Sequence, residues 1–414
     1  MSAHAQNLPF PRNYASELLT LERGAGIYVE DAEGTPYLDM GAGIAVNALG
    51  YGRADLAEIA HEQMQRLIHV SNLYTTGPAL ELGNRLLDST PSATGKRFAA
   101  VHFGNSGAEA NESALKYARL YAHQTRGPGH HRFLAFSNGF HGRTMGSLSV
   151  TPNPKYRTKF EPLIPGVEIT PYNDPDALEK TLDETFAGVI VEVVQGEGGL
   201  RTMTPEFAAA LNELTAKHDV LLIADEIQTG LGRTGFLYGS EAFGLDPDIV
   251  SLSKPLGGGL PLSATLIPQK VNELLHVGDH GTTFGGGPVT CAVGLKVWDT
   301  IRDLEFLARV RLAAEHLEQG LTRIAQRFSF TGGLRGAGLL RGLEVTAPDE
   351  RVAEIMSRIL TVARENGLLV LKSGGNIIRL APPLIITPDE IDRGLAILEA
   401  SLSHIEDEFK GVLS

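Results

Sequence analysis

Cysteine and tryptophan are nearly missing from this sequence, each occurring once in 414 residues. A lone Cys291 excludes an intrachain disulfide, and a reducing cytoplasm is the expected compartment. No apolar run approaches the ~20 residues that span a bilayer, so no membrane partner is expected. The amino end, MSAHAQNLPFPRNYASELL, lacks a basic segment followed by an apolar one, and no signal peptide is expected. Positive charge is also short: 36 Lys and Arg against 49 Asp and Glu leave a net charge of −13, which argues against nucleic acid as a partner. An acidic substrate must then be caught by a few placed cations. The adjacent His130 and His131 lack the spacing of a metal site, so no metal is expected.

The composition, 43% hydrophobic and 21% charged, is that of an ordinary soluble globular chain. Its length exceeds the ~250–300 residues at which single cores stop growing, so two domains are expected. Residues 26–39 alternate around a Glu33-Gly34-Thr35-Pro36 turn and predict a hairpin. The uncharged, glycine-rich stretch GAGIAVNALGYG that follows is expected to be tucked against something. Helical spacing marks residues 54–69, 78–88 and 205–218. Apolar runs at 98–103, 133–136, 188–194, 220–224 and 248–253 predict strands buried on both faces. Strands alternating with helices from about 98 to 267 imply a mainly parallel α/β sheet. Beyond it, helices at 289–301 and 303–327 lead to a smaller α+β unit. That unit has strands at 338–345, 368–371 and 377–380 and helices at 349–365 and 388–407.

Ligands of open α/β sheets lie beyond the carboxyl ends of the strands, and the reactive residues of this chain fall there. Asp225 closes the run 220–224, and Lys254 closes 248–253 in SLSKPLGGG. A lysine at the end of an apolar strand is desolvated, which lowers its pKa and makes it a nucleophile toward carbonyls. Pyridoxal phosphate chemistry needs such an amine, and a carboxylate that keeps the pyridine nitrogen protonated. The bland alternative for the two residues is a structural ion pair. GNSGAEANESALK opens a helix with Ser106, Gly107 and Ala108, a seat for a phosphate; the competing account is a capping box between Ser106 and Glu109. The sequon Asn111-Glu112-Ser113 lies inside that helix and is set aside. In FHGRTMG, Phe140, His141 and Arg143 combine a stacking ring with a guanidinium that can fork onto a carboxylate, although a surface role is the better account of Arg143 taken singly. VEVVQGEGG ends a strand with Glu192 and Glu197. Arg379, inside IIRLAPP, requires an anionic partner, either Glu197 or a substrate carboxylate. The G-x-G-x-x-G match at residues 230–235 neither follows its strand directly nor opens a convincing helix, which speaks against dinucleotide binding.

With GNSGAEANESALK, FHGRTMG, QGEGG, ADEIQTGLGRTG and SLSKPLGGG in this order, the chain resembles the class III (subgroup II) pyridoxal-phosphate aminotransferases of fold type I, most closely their acetylornithine branch. The resemblance implies a seven-stranded-type sheet in a large cofactor-binding domain at 56–300, a small domain at 301–414, and an N-terminal arm, 1–55, packed with the small domain. It implies Lys254 as Schiff-base lysine and proton carrier, with Asp225 on the pyridinium nitrogen and Gln228 near the ring hydroxyl. It further implies Gly107 and Ala108 on the phosphate, with Ser106, His141 and Glu192 around the cofactor and Phe140 stacked on it. Thr283 would reach a neighbouring subunit's phosphate, which makes a homodimer the expected assembly. Arg379 would hold the α-carboxylate of an amino acid or 2-oxo acid and Arg143 a side-chain carboxylate, with Glu197 as the switch that covers Arg379. The implied reaction is ping-pong transfer from an ω-amino donor, N-acetylornithine or similar, to 2-oxoglutarate. Gly43 stands where ornithine aminotransferases carry a tyrosine, which favours a bulkier, acylated donor. Val193, Pro255 and Gly287 depart from the family pattern. Transfer from 4-aminobutyrate, other ω-amines or diaminobutyrate, racemisation on the same scaffold, and a cofactor-free binding protein are the alternatives.

Overall fold

The structure is a computed structural model that describes residues 11, 13, 19–89 and 98–413. Three strands, β1 (Leu21–Ala25), β2 (Tyr28–Asp31) and β3 (Pro36–Asp39), run antiparallel, with the β2–β3 hairpin turning where the sequence predicts. The uncharged loop after β3 is packed inward: Ala42, Ala45, Ala48 and Leu49 are buried. Ala42, Gly43, Ile44 and Ala45 all take positive φ. Gly50 is required there, since a Cβ would overlap the Gly26 carbonyl and φ is +76°.

The next strands are β4 (Ala100–Gly104), β5 (Arg132–Phe136), β6 (Val167–Thr170) and β7 (Phe186–Val191). A short pair, β8 (Val194–Gln195) and β9 (Arg201–Thr202), precedes β10 (Leu221–Asp225), β11 (Ile249–Leu252) and β12 (Ser263–Ile267). Seven of these form the central sheet in the order β4-β12-β11-β10-β7-β5-β6. It is parallel except for β12, which runs against both neighbours. Alternation across the pleat divides the core. Leu222 and Ala224 of β10 face one apolar cluster, while Leu221 and Ile223 face the other, which the helix Gly107–Arg126 covers with Ala114, Ala118 and Tyr121. All of β7, β10 and β11 is buried, which is why these strands read as unbroken apolar runs.

Toward the carboxyl end stand β13 (Thr331–Ala337), β14 (Leu340–Val345), β15 (Leu368–Leu369), β16 (Leu371–Ser373) and β17 (Ile377–Leu380). Four of them form a sheet in the order β13-β14-β17-β16, while β15 pairs with β3. The helices Leu304–Arg327, Asp349–Glu365 and Pro388–Glu408 cover this part. Among the described residues no helix is long and apolar enough to cross a membrane.

Several boundaries differ from the sequence expectation. The run 188–194 breaks after Val191, because Glu192 and Val193 turn the chain into β8. The first long helix stops at Arg66, three residues early. β6 and β13 were not legible: β6 is only half covered, and β13, TGGLRGA, carries glycines that weaken any strand signal. FLYGSEAFG does hold a short helix, Gly239–Phe243, whereas GLGRTG forms a turn with Leu231, Gly232 and Gly235 at positive φ.

Candidate active site

Asp225 is the last residue of β10, opposite Ser251 of the parallel neighbour β11. Lys254 follows β11 by two residues and opens the short 3-10 turn Lys254–Gly257. Adjacent parallel strands therefore deliver a carboxylate and an amine to one edge of the sheet. Lys254 takes a φ of +35°, a strained value for a residue with a side chain, of the kind that gathers at functional sites. Burial lowers its pKa. Asp225 and Glu197 oppose that shift, while Arg379 adds to it.

Asp225 is buried and held from three directions. His141 Nδ1 lies 2.7 Å and Asn111 Nδ2 2.8 Å from its Oδ2, and the Ile227 amide donates to Oδ1 at 3.2 Å. Asn111 also donates to the His141 backbone carbonyl at 2.7 Å, which ties the main chain at His141 to the helix Gly107–Arg126. Oδ2 is thus saturated, and Oδ1 retains acceptor capacity. Burial works against a charged His141, but the hydrogen bond and charge of Asp225 outweigh it, so its pKa lies above the ordinary imidazole value. Glu192 accepts from the Phe140 amide at 2.8 Å and the Gly196 amide at 3.2 Å. Burial pushes its pKa to about 7, against the pull of His141 and the two amides.

Ser106 is the N-cap of the helix Gly107–Arg126, accepting from the Glu109 amide at 3.3 Å, and Glu109 Oε2 accepts in turn from the Asn105 amide at 2.9 Å. Ser106 therefore caps the helix, but the Glu109 carboxylate returns to the Asn105 amide instead of the Ser106 amide, so the reciprocal box is not closed. Gly107 and Ala108 are the first helical residues, whose N–H groups have no intrahelical acceptor. A Cβ on Gly107 would come within 2.8 Å of Ile227, so the helix start is pressed against the segment after Asp225.

Arg379 on β17 is buried and pairs with Glu197 Oε1 at 2.5 Å. The same Nη1 donates to the Gly196 carbonyl at 3.0 Å and lies 3.5 Å from Gln228 Oε1, while Nε has no partner. Of the two partners expected for this arginine, the structure shows the internal one. Arg143 is exposed and lies over the Tyr156 ring, 3.6 Å from its centroid, and 5.6 Å from that of Phe140. Thr283 is exposed on a loop that borders a groove with Gly104 and Asn105, outside the buried cluster.

The structure thus gathers Lys254, Asp225, His141, Glu192, Gln228, Glu197 and Arg379, with Phe140 bordering them. It leaves Arg143 and Thr283 on the surface. Sequence reasoning missed Asn111, which it met only as part of a discarded sequon. The available signal was its position one turn after Gly107, on the face of a helix that starts at the strand ends.

A buried amine of lowered pKa, a tethered carboxylate, an open helix start and a guanidinium closed by an internal acid together suit carbonyl chemistry on an amino acid. A model of the aminotransferase class-III family matches residues 10–402. The chain is a class-III aminotransferase. It is 42% identical over 393 residues to an acetylornithine aminotransferase from Aquifex aeolicus, covering 94% of this chain and 98% of that one. It superposes with a TM-score of 0.89 on an ornithine aminotransferase from Toxoplasma gondii that carries pyridoxal phosphate in its active site at partial occupancy, at 31% identity and with 97% and 93% of the two chains covered. An N-acetylornithine aminotransferase from Stenotrophomonas maltophilia matches with a TM-score of 0.82 at 32% identity, over 95% and 98% of the chains. The fold is that of the fold type I aminotransferases, and members of this family bind pyridoxal phosphate. The residues present fit that group. Asp225 has a free acceptor position toward the site, Lys254 is poised by burial, and the helix start offers unpaired amides.

Proposed function

We propose that this class-III aminotransferase moves the ω-amino group of N-acetylornithine, or of a similar acylated basic amino acid, to 2-oxoglutarate by a ping-pong reaction in a homodimer. The observation that carries the ω-amino part is the Arg379–Glu197 pair. A donor reacting at its ω-carbon has no carboxylate beside the reacting atom, and a buried guanidinium without an anion is costly, so an internal acid must cover it. For 2-oxoglutarate, Glu197, which is partly exposed, swings off and the substrate carboxylate takes its place. Arg143, exposed on its aromatic shelf, receives the other carboxylate. The acylated donor is supported by the activities for which the Aquifex and Stenotrophomonas relatives are named and by Gly43, which leaves the loop after β3 without a bulky side chain.

Pyridoxal phosphate, when bound, supplies an aldehyde and a ring that accepts the electron pair left on carbon. Asp225 would hold the ring nitrogen through Oδ1, with His141 and Asn111 fixing the carboxylate. Gly107 and Ala108 would hold the phosphate, joined by Thr283 of a second copy, while Phe140 would cover one ring face. Ser106, Glu192 and Gln228 would complete the setting. Lys254 Nζ, whose proton affinity burial lowers, would accept the proton that the amino-bearing carbon loses and hand it on to the cofactor's former aldehyde carbon. Leu73 at 87%, Tyr74 at 71% and Phe284 at 67% exposure form the apolar surface that a second copy would bury.

A panel of amino donors with 2-oxoglutarate, followed by chiral analysis of the products, tests the proposal. Turnover of N-acetylornithine well above 4-aminobutyrate and diaminobutyrate is the expected result. Inversion of an amino acid without net amino transfer would overturn it.

A further inference from the structure

Among the described residues the most deeply buried charged side chain is Arg233, in the turn GLGRTG whose match to a dinucleotide motif led nowhere, and no carboxylate pairs with it. Its Nη1 donates to the main-chain carbonyls of Leu339 at 3.1 Å and Pro382 at 2.6 Å, while Nε and Nη2 have no partner. Burial pushes its pKa down to about 9. A buried cation without an anion lowers stability, and an apolar side chain of similar size would fill the space without that penalty. The reason for the charge lies in what its donors hold.

They hold two anchors of the site at a set spacing. Residues 225–235 form one continuous segment. Asp225 at its start is held by His141 and Asn111, Gln228 lies 3.5 Å from Arg379 Nη1, and Arg233 reaches Pro382. Pro382 stands three residues beyond Arg379, just past the end of β17. The Gln228 contact is at the limit of a hydrogen bond, and its donor atom is shared with Glu197 and the Gly196 carbonyl, so it does not fix the spacing. The short bond from Arg233 to a backbone atom does. The turn is also tied to the connection between β13 and β14, where the Leu339 amide donates to the Arg233 carbonyl at 2.9 Å. That approach leaves no room for a side chain: Gly338 has a φ of +59°, and a Cβ on it would fall 2.4 Å from the Arg233 carbonyl oxygen. A further tie at the β17 exit, from the Ala381 amide to the Met40 carbonyl at 2.6 Å, leads to the loop after β3 and not to the segment of Asp225.

We infer that Arg233 is a positioning residue: through Pro382 it sets the distance between Arg379 and Asp225, and it thereby governs reaction with glutamate and 2-oxoglutarate but not with the ω-amino donor. The inference rests on the carboxylate role proposed for Arg379. An ω-donor reacts while Glu197 covers Arg379, so a shift of β17 leaves its own contacts intact. A glutamate carboxylate must meet Arg379 in register with the reacting carbon, where a displacement of about 1 Å lowers the rate by up to about 100-fold.

Two variants test this. Arg233→Lys keeps the charge without the planar fork, and Arg233→Gln keeps a planar donor without the unpaired buried cation, which guards against a variant that fails to fold. Stopped-flow measurement on each holoenzyme gives kcat/KM for glutamate and for the best ω-amino donor. The glutamate-to-ω-donor ratio is expected to fall about 10- to 100-fold in both variants. The calorimetric Kd of glutarate, which has both carboxylates and no group to react, is expected to rise by about the same factor. On the unmodified holoenzyme, saturating glutarate is expected to slow hydrogen exchange at the Leu339 amide, which reports on the Arg233 tie without any substitution. An equal loss for both donors is what a merely structural arginine gives, and it overturns the inference, as does an unchanged or raised ratio or an unchanged Leu339 exchange rate. Arg379→Lys separates this inference from the reading beneath it. If that variant binds glutarate as tightly as wild type, the carboxylate role of Arg379 fails and takes the inference with it. If it weakens glutarate while the Arg233 variants do not, the inference alone is overturned.

Discussion

Replacing Glu197 by glutamine removes the charge that covers Arg379 while keeping the side chain's size. The guanidinium is 3% exposed and then retains neutral acceptors only, namely the amide oxygen of the new side chain, the Gly196 carbonyl at 3.0 Å and a long contact to Gln228 at 3.5 Å. Breaking a fully buried pair costs about 3–5 kcal/mol; because the Glu197 side chain is 28% exposed, about 1–3 kcal/mol is expected here. The sign for catalysis depends on the substrate. A glutamate or 2-oxoglutarate carboxylate no longer has to displace an internal competitor, so its binding improves. An ω-amino donor leaves Arg379 uncovered, so its binding worsens. The ratio of kcat/KM for glutamate to that for the ω-donor should therefore rise by about 5- to 150-fold, the equivalent of that energy range. Stopped-flow measurement of each half-reaction on Glu197→Gln reads this directly, and urea unfolding reads the stability loss. A ratio within twofold of wild type, with the protein folded, would refute the role assigned to the pair.

Three further outcomes are expected. Lys254→Ala should lose about 10²–10⁴-fold in turnover from proton transfer alone, and borohydride should no longer fix the cofactor to the chain, as read by mass spectrometry. Asn111→Leu removes one hydrogen bond to the Asp225 carboxylate and one to the His141 carbonyl; cofactor retention after dialysis should fall at least about tenfold. His102, stacked on His280 at 4.6 Å, has its pKa lowered from 6.5 to about 4 by burial, then by His280 and Lys116, with Glu109 opposing. Its folded pKa lies below the unfolded one, so the unfolded chain takes up the proton first. The contribution is present above pH 6.5 and is lost as pH falls toward 4, by at most about 3 kcal/mol. His102→Gln should flatten the stability curve in that window; an unchanged slope would remove His102 as the cause.

Lys254 and Asp225 could be read from the sequence because each ends an apolar strand, and a strand end in a parallel sheet has one place to be. The strands that face protein on both sides, β7, β10 and β11, were legible for the same reason: burial on two faces demands an unbroken apolar run, and little else does. The C-terminal helices Leu304–Arg327 and Pro388–Glu408 were equally clear from their spacing. β6 and β13 were not, since half-covered or glycine-bearing strands leave no such pattern.

The site divides along the same line. Local sequence singled out the residues proposed to carry the chemistry: an amine beside glycines, an acid after an apolar run, an arginine inside a strand that had to be neutralised. Only the tertiary structure decided who partners whom. Asn111 reaches Asp225 because the helix Gly107–Arg126 lies across the strand ends, and no local signal records that crossing. Glu197 closes on Arg379, some 180 residues away, because β17 is brought against the turn after β8. Distances between remote segments are set by packing, and a linear pattern contains no information about them.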